Sequence, residues 1–105
     1  MPKVLVVQTT TAQKEDAQAI ARSLVEQRLA ACVKVIGPVE SVYRWQGAVE
    51  SAKEWICQVK TTEATLDQLL KAIRQLHPYD EPEIVALPVV GGSPSYLKWV
   101  DEQVS

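Results

Sequence analysis

The chain has 105 residues, 47% of them apolar and 23% charged, with a formal net charge of −2. Such proportions describe one ordinary globular domain over residues 1–105, able to bury a core with a modest stability margin. A charge this small, with Lys and Arg scattered, excludes electrostatic steering toward nucleic acid or an anionic membrane surface, and no apolar run is long enough to span a bilayer.

Met1-Pro2-Lys3 leads toward the first strand without a charged-then-apolar leader, which reads as a cytoplasmic protein. Val4-Leu5-Val6-Val7 is a short β-branched run, expected as a strand from Lys3 to Gln8 buried on both faces. Thr10 and Gln13 have capping-box spacing, and Ala17, Ile20, Ala21, Leu24, Val25 and Leu29 recur at helical spacing to about Gln27–Leu29. Ala31–Ile36 returns to strand character. Gly37-Pro38 interrupts it as a bulge or bend, and the strand resumes over Val39–Trp45. Gln46-Gly47 turns the chain into a return strand over Ala48–Thr61, with Trp55, Cys57 and Val59 on one face. Thr62 is expected to cap a second helix with the stripe Leu66, Leu69, Leu70, Ile73 and Leu76, ended by His77-Pro78. Ile84–Val90 is a last strand, and Ser93-Pro94 opens a short C-terminal helix.

The order β-α-β-β-α-β plus a terminal helix predicts an α+β, ferredoxin-like sandwich. Val7–Ala12 echoes Val59–Ala64, and the same offset sets Leu24 on Leu76. Each arm of the middle hairpin would reach some 45–50 Å if unbroken, well beyond the body of so small a domain. Its tip carries Val42, Tyr43, Trp45 and Val49, apolar groups that call for a partner. The first and last strands are apolar on both faces, so the sheet's second face also needs cover. Packing of the hairpin against further copies of the chain answers both needs.

Chemistry-bearing residues are few. His77 is the only histidine: it is a turn residue after its helix, or a metal ligand with Asp80, Glu81 and Glu83 as co-ligands. Cys32 and Cys57 belong to no CxxC pair and read as buried, reduced core thiols. Lys60 is a solvated strand-end charge, or the partner of an anion or of Glu54 or Glu83 in a cleft. Gly91-Gly92-Ser93 is a strand-to-helix turn or an anion cradle, and Trp45 and Trp55 are packing groups or a stacking platform. There is no Ser-His-Asp or Cys-His arrangement, no phosphate-binding glycine loop and no catalytic set, so the chain reads as a non-enzyme.

Four stretches in order carry a family pattern: Arg28–Val33, Ser41–Gly47, Lys60-Thr61 and His77–Ile84. With them the sequence resembles the CutA family of divalent-cation tolerance proteins over nearly its whole length. The resemblance implies a homotrimer similar in architecture to the PII signalling proteins, assembled through the hairpin and sheet edges. It implies a divalent metal ion such as copper as a ligand, with no cofactor required for folding and no catalytic activity. The copper pattern of bacterial members has a Cys at the end of the first strand and a His-His pair before the Pro. The matching positions here are Gln8 and Leu76, which leaves His77 as the metal candidate. An alternative is a PII-like sensor that holds a small molecule or anion in inter-subunit clefts lined by Tyr43, Trp45, Lys60, His77, Tyr79 and Glu83.

Overall fold

β-Branched runs alternating with 3.6-residue stripes fold into eight elements in the computed structural model, which describes residues 3–104. They are β1 (Val4–Thr11), α1 (Lys14–Glu26), β2 (Cys32–Trp45), β3 (Ala48–Thr62), a 3₁₀ turn (Glu63–Thr65), α2 (Leu66–Leu76), β4 (Ile84–Pro88) and α3 (Pro94–Gln103). The expectation placed on Met1 and Pro2 lies outside the described residues. The four strands form one antiparallel sheet of order β2-β3-β1-β4. This is the expected α+β, ferredoxin-like sandwich, with an extended β2–β3 hairpin and a short C-terminal helix.

The core follows from period. Ala17, Ile20 and Leu24 of α1, with Leu69, Ala72 and Ile73 of α2, bury against Val7, Cys57 and Val59. Alternation along β1 sends Val4 to the opposite face. There Val4 meets Ala31, Leu97 and Val100, so α3 covers that end of the second face. The echoed residues Val7 and Val59 are direct cross-strand partners, both fully buried, which places the two strand–helix units about the β1–β3 pair. The echo stops at Leu76. Leu24 is buried, whereas Leu76 on the last turn of α2 is 41% exposed.

Element ends differ from the sequence reading where pairing outweighs capping. β1 runs on to Thr11 because Thr10 and Thr11 pair with Ile56 and Trp55. The capping box at Thr10 and Gln13 therefore does not form. Gln13 itself is the N-cap, with Thr11 Oγ1 donating to its carbonyl at 2.7 Å. The first helix stops at Glu26, short of Leu29, because Arg28 turns to φ 61°. Thr62 caps the 3₁₀ turn, and Thr65 is the N-cap of α2. β4 ends at Pro88, which has no amide proton to extend the ladder, although Val89 N–H still donates to Val4 O at 3.1 Å.

The hairpin accounts for the 44 Å long axis of a molecule otherwise 25 × 22 Å. Gln46 and Gly47 close it with φ 49° and 83°, the doubly positive pattern of a tight hairpin turn. Between Ile36 and Val39 the pairing with β3 slips by one residue at Gly37-Pro38. Up to Ile36 the even-numbered residues of β2 share a face with Ile56, Gln58 and Lys60. From Val39 onward the odd-numbered residues share that face, opposite Glu54, Ala52 and Glu50. The bulge thereby moves Tyr43 and Trp45 to the side of the sheet away from α1 and α2.

Candidate functional site

On that second face, β4 and the hairpin stay uncovered: Val85, Leu87, Tyr43 and Trp45 are all exposed. Toward the hairpin the segment 77–83 folds over the face and closes a groove of about 930 Å³. Tyr43, Trp45 and Tyr79 supply its aromatic walls. Its carboxylates are Glu50 and Glu54 from β3, with Asp80, Glu81 and Glu83 from the segment. Among the described residues no Lys, Arg or His lines it.

His77 holds the segment in place. It is 7% exposed. Its Nδ1 accepts from the Tyr79 amide at 3.1 Å, so the ring proton sits on Nε2, which donates to the Thr10 carbonyl at 2.7 Å. The ring also packs on Tyr79, with centroids 4.8 Å apart. Tyr79 then donates its hydroxyl to Glu54 Oε2 at 3.1 Å. Burial first, and the Glu54 carboxylate second, push the Tyr79 phenol up to about 12. The protonated phenol is thereby fixed as a donor. Gln8 Nε2 donates to Glu83 Oε2 at 3.3 Å and ties the far end of the segment to β1.

Four of the six expected cleft residues meet here: Tyr43, Trp45, Tyr79 and Glu83. His77 stands behind the groove as an anchor. Lys60 lies elsewhere on the face. Its ammonium donates to Gln58 Oε1 at 3.4 Å, and neither Glu54 nor Glu83 is its partner, since these carboxylates are held by Tyr79 and Gln8. Glu50 and Ala52 carry no local sequence signal of a site, because their place beside Tyr43 is set by the register shift at the bulge.

The thiols divide. Cys57 is fully buried, donates to the Ala17 carbonyl at 3.4 Å and is pushed up to about 11 by burial. Cys32 is only partly buried, because β2 is an edge strand. Its sulfur lies 3.6 Å from Tyr96 Oη under α3.

A resident metal does not fit these donors as arranged. Both nitrogens of His77 are already engaged, Gln8 is bound to Glu83, and Leu76 offers no donor atom. Among the described residues no three His, Cys, Asp or Glu side chains converge on a point.

The βαββαβ sandwich with a long bulged hairpin and an anchored His-Pro segment defines a class of small α+β proteins. Residues 5–103 match the CutA1 divalent ion tolerance protein family, and the chain belongs to that family. It is 46% identical over 97 residues to the divalent-cation tolerance protein CutA of Thermus thermophilus, covering 92% of this chain and 94% of that one. The solved Thermus thermophilus Cut A1 structure superposes with a TM-score of 0.94 at 44% identity, covering 97% and 99% of the two chains. The chloroplastic CutA of Arabidopsis thaliana is 41% identical over 96 residues. The match spans 91% of this chain but 53% of the plant protein.

Proposed function

We propose that the chain acts in divalent-cation tolerance as a non-catalytic, cytoplasmic binding protein, one domain per subunit, assembled as a homotrimer. The observation that carries this reading is the near end-to-end match with the Thermus thermophilus tolerance protein. Assembly is supported by the uncovered apolar ribbon. Val42, Trp45, Val49 and Leu87 are each more than half exposed, and burying such side chains yields about 1.5–3 kcal/mol apiece. Two free thiols accord with a reducing compartment. No helix among the described residues is long and apolar enough to cross a membrane.

In this reading copper or another divalent cation reaches His77 only when the 77–83 segment opens and Nδ1 gives up the Tyr79 amide. Copper titration by calorimetry of the wild type and H77N tests it. A weak isotherm lost in H77N supports the role, and identical isotherms remove His77 from it. Sedimentation equilibrium tests the assembly. A trimer mass at micromolar concentration is expected, and a stable monomer overturns it.

The second reading is a PII-like sensor with a small ligand in inter-subunit clefts. The specific observation in its favour is the groove between the hairpin and segment 77–83, walled by three aromatic rings. A thermal-shift screen of nucleotides, small anions and organic amines tests it. A Tm rise reduced by W45A is expected, and no rise with any compound overturns it.

A further inference from the structure

The long hairpin is two structures in series. From Cys32 to Ile36 its β2 arm lies in the four-stranded sheet, and β3 stays paired with β1 from Thr62 to Trp55. Past Trp55 there is no third strand. Residues 39–54 pair only with one another, as a two-stranded ribbon whose last pair toward the body is Val39 with Glu54. Such ribbons are marginally stable by themselves. The root of this one is weakened further on the β2 side, where the ladder with β3 is interrupted at Gly37-Pro38. Segment 77–83 lies against that root. Tyr79 donates its hydroxyl at 3.1 Å to Glu54, the first ribbon residue past the sheet. Among the described residues this is the one hydrogen bond from the ribbon to a part of the chain outside the hairpin. The segment is in turn fixed to β1, by His77 Nε2 on the Thr10 carbonyl at 2.7 Å and by Gln8 on Glu83 at 3.3 Å. His77 and Tyr79 are two residues apart and their rings pack at 4.8 Å, so no slack separates the hold on β1 from the hold on the ribbon.

We propose that segment 77–83 is a strap that fixes the direction of the projecting ribbon, with Tyr79 as the positioning residue at Glu54, and that it thereby sets how firmly subunits associate. The proposal rests on the assembly reading above, because the ribbon is the surface that reading places between subunits. Association needs Val42, Trp45 and Val49 presented together in one direction. A ribbon free to swing at Gly37-Pro38 loses that freedom on association, at a cost in affinity. A strapped ribbon has lost it beforehand, in the folding of its own subunit.

The test compares Y79F with T61V in the full chain. Each variant removes one hydroxyl, and T61V takes it from the bond to the Leu29 carbonyl at the opposite end of the β1–β3 ladder. One readout is amide hydrogen exchange over residues 39–52. The other is subunit exchange between isotopically heavy and light protein, read by native mass spectrometry in urea below the unfolding midpoint. Y79F should speed both by roughly tenfold, whereas T61V should leave ribbon exchange near the wild-type rate. E54Q keeps an acceptor for the Tyr79 hydroxyl and should hold the wild-type rates. E54A should match Y79F, and the double variant should add nothing to either. Unchanged ribbon exchange in Y79F, equal acceleration in T61V, or additive losses in the double variant would overturn the proposal. If the wild type is a trimer whose subunit exchange Y79F leaves unchanged, the assembly reading stands and the strap's hold on association is overturned. If the wild type sediments as a monomer, the assembly reading falls and takes that hold with it. Ribbon exchange in Y79F against T61V then decides the strap by itself. Circular dichroism confirms that each variant folds as the wild type does.

Discussion

His77 Nε2 donates to the Thr10 carbonyl at 2.7 Å while Nδ1 accepts from the Tyr79 amide, so one imidazole bridges the end of β1 and the segment that closes the groove. Removing it orphans a carbonyl and an amide at a site that is 93% shielded in its present form. H77A is expected to cost about 1–3 kcal/mol, the penalty for unpaired buried polar groups. H77N, which retains a donor and an acceptor, should recover part of that. Urea unfolding midpoints give the ranking. Hydrogen exchange at the Tyr79 amide should speed up in H77A before global stability is lost, and an unchanged rate would dissociate His77 from the segment.

Tyr79 and Glu54 form the next link. Y79F keeps the ring and removes one partly buried hydrogen bond, a loss of about 0.5–1.5 kcal/mol. The pH dependence has a definite sign. The phenol's folded value is raised from 10 to about 12, so the folded state holds this proton more tightly than the unfolded chain. The stabilisation it contributes is present below pH 10 and lost as pH rises through 12. The wild type should therefore lose more stability than Y79F across that window. Parallel slopes in chemical denaturation at pH 9 to 12 would contradict the linkage.

Gly37 is required for space. A Cβ there would lie 2.6 Å from Trp55 Cδ1, 2.9 Å from Trp55 Cγ and 3.0 Å from the Glu54 carbonyl. Trp55 packs against the main core, and Glu54 belongs to the groove. G37A should cost about 1–3 kcal/mol through overpacking and shift the emission of Trp55. Because the displaced strand carries Glu54, the same substitution should alter ligand thermal shifts at the groove. An unperturbed emission spectrum would show that the bulge absorbs the methyl group.

Sequence pattern reached the fold more fully than the groove. Strand runs and helical stripes are local signals, and Ala17, Ile20, Leu24, Leu69 and Ile73 pack as their spacing dictates. Element ends depend on pairing at a distance, which is why Thr10 lies in a strand rather than at a cap. In the sequence Tyr43 and Trp45 are legible only as apolar groups on a projecting hairpin. Their shared face with Glu50 and Glu54 depends on a one-residue slip at Gly37-Pro38, and alternation alone would have sent them to the opposite side. In the sequence His77 stands out only as a lone imidazole. Its use of both nitrogens depends on a carbonyl far away in sequence, which no local motif discloses.

The two thiols should separate by reactivity. Cys32 is partly accessible at the sheet edge, whereas Cys57 is fully buried against the Ala17 carbonyl, and burial holds it protonated up to about 11. Since the thiolate is the reacting form, a disulfide reagent at pH 8 should label Cys32 in the native protein and Cys57 only on unfolding. Labelling of C32S then reports global opening, and its rate should rise with denaturant. Fast native labelling of C32S would contradict the packing of β3 under α1.

Arg28 occupies left-handed backbone at φ 61°, where the chain leaves α1 and where glycine is the favoured residue. Its amide donates to the Val25 carbonyl and its guanidinium Nη2 to the Glu102 carbonyl at 3.2 Å, which ties the end of α1 to the end of α3. R28A loses the guanidinium contact and keeps the strained backbone. R28G loses the same contact and relieves the strain. Comparing the two cancels the side-chain term, so R28G should be more stable than R28A by about 1 kcal/mol. Against the wild type, R28G should lie near neutrality, because an exposed hydrogen bond of about 0.5–1.5 kcal/mol offsets a backbone relief of similar size. Thermal and urea unfolding of both variants decide the ordering. An R28A at least as stable as R28G would mean that the left-handed turn is not retained once the guanidinium is gone.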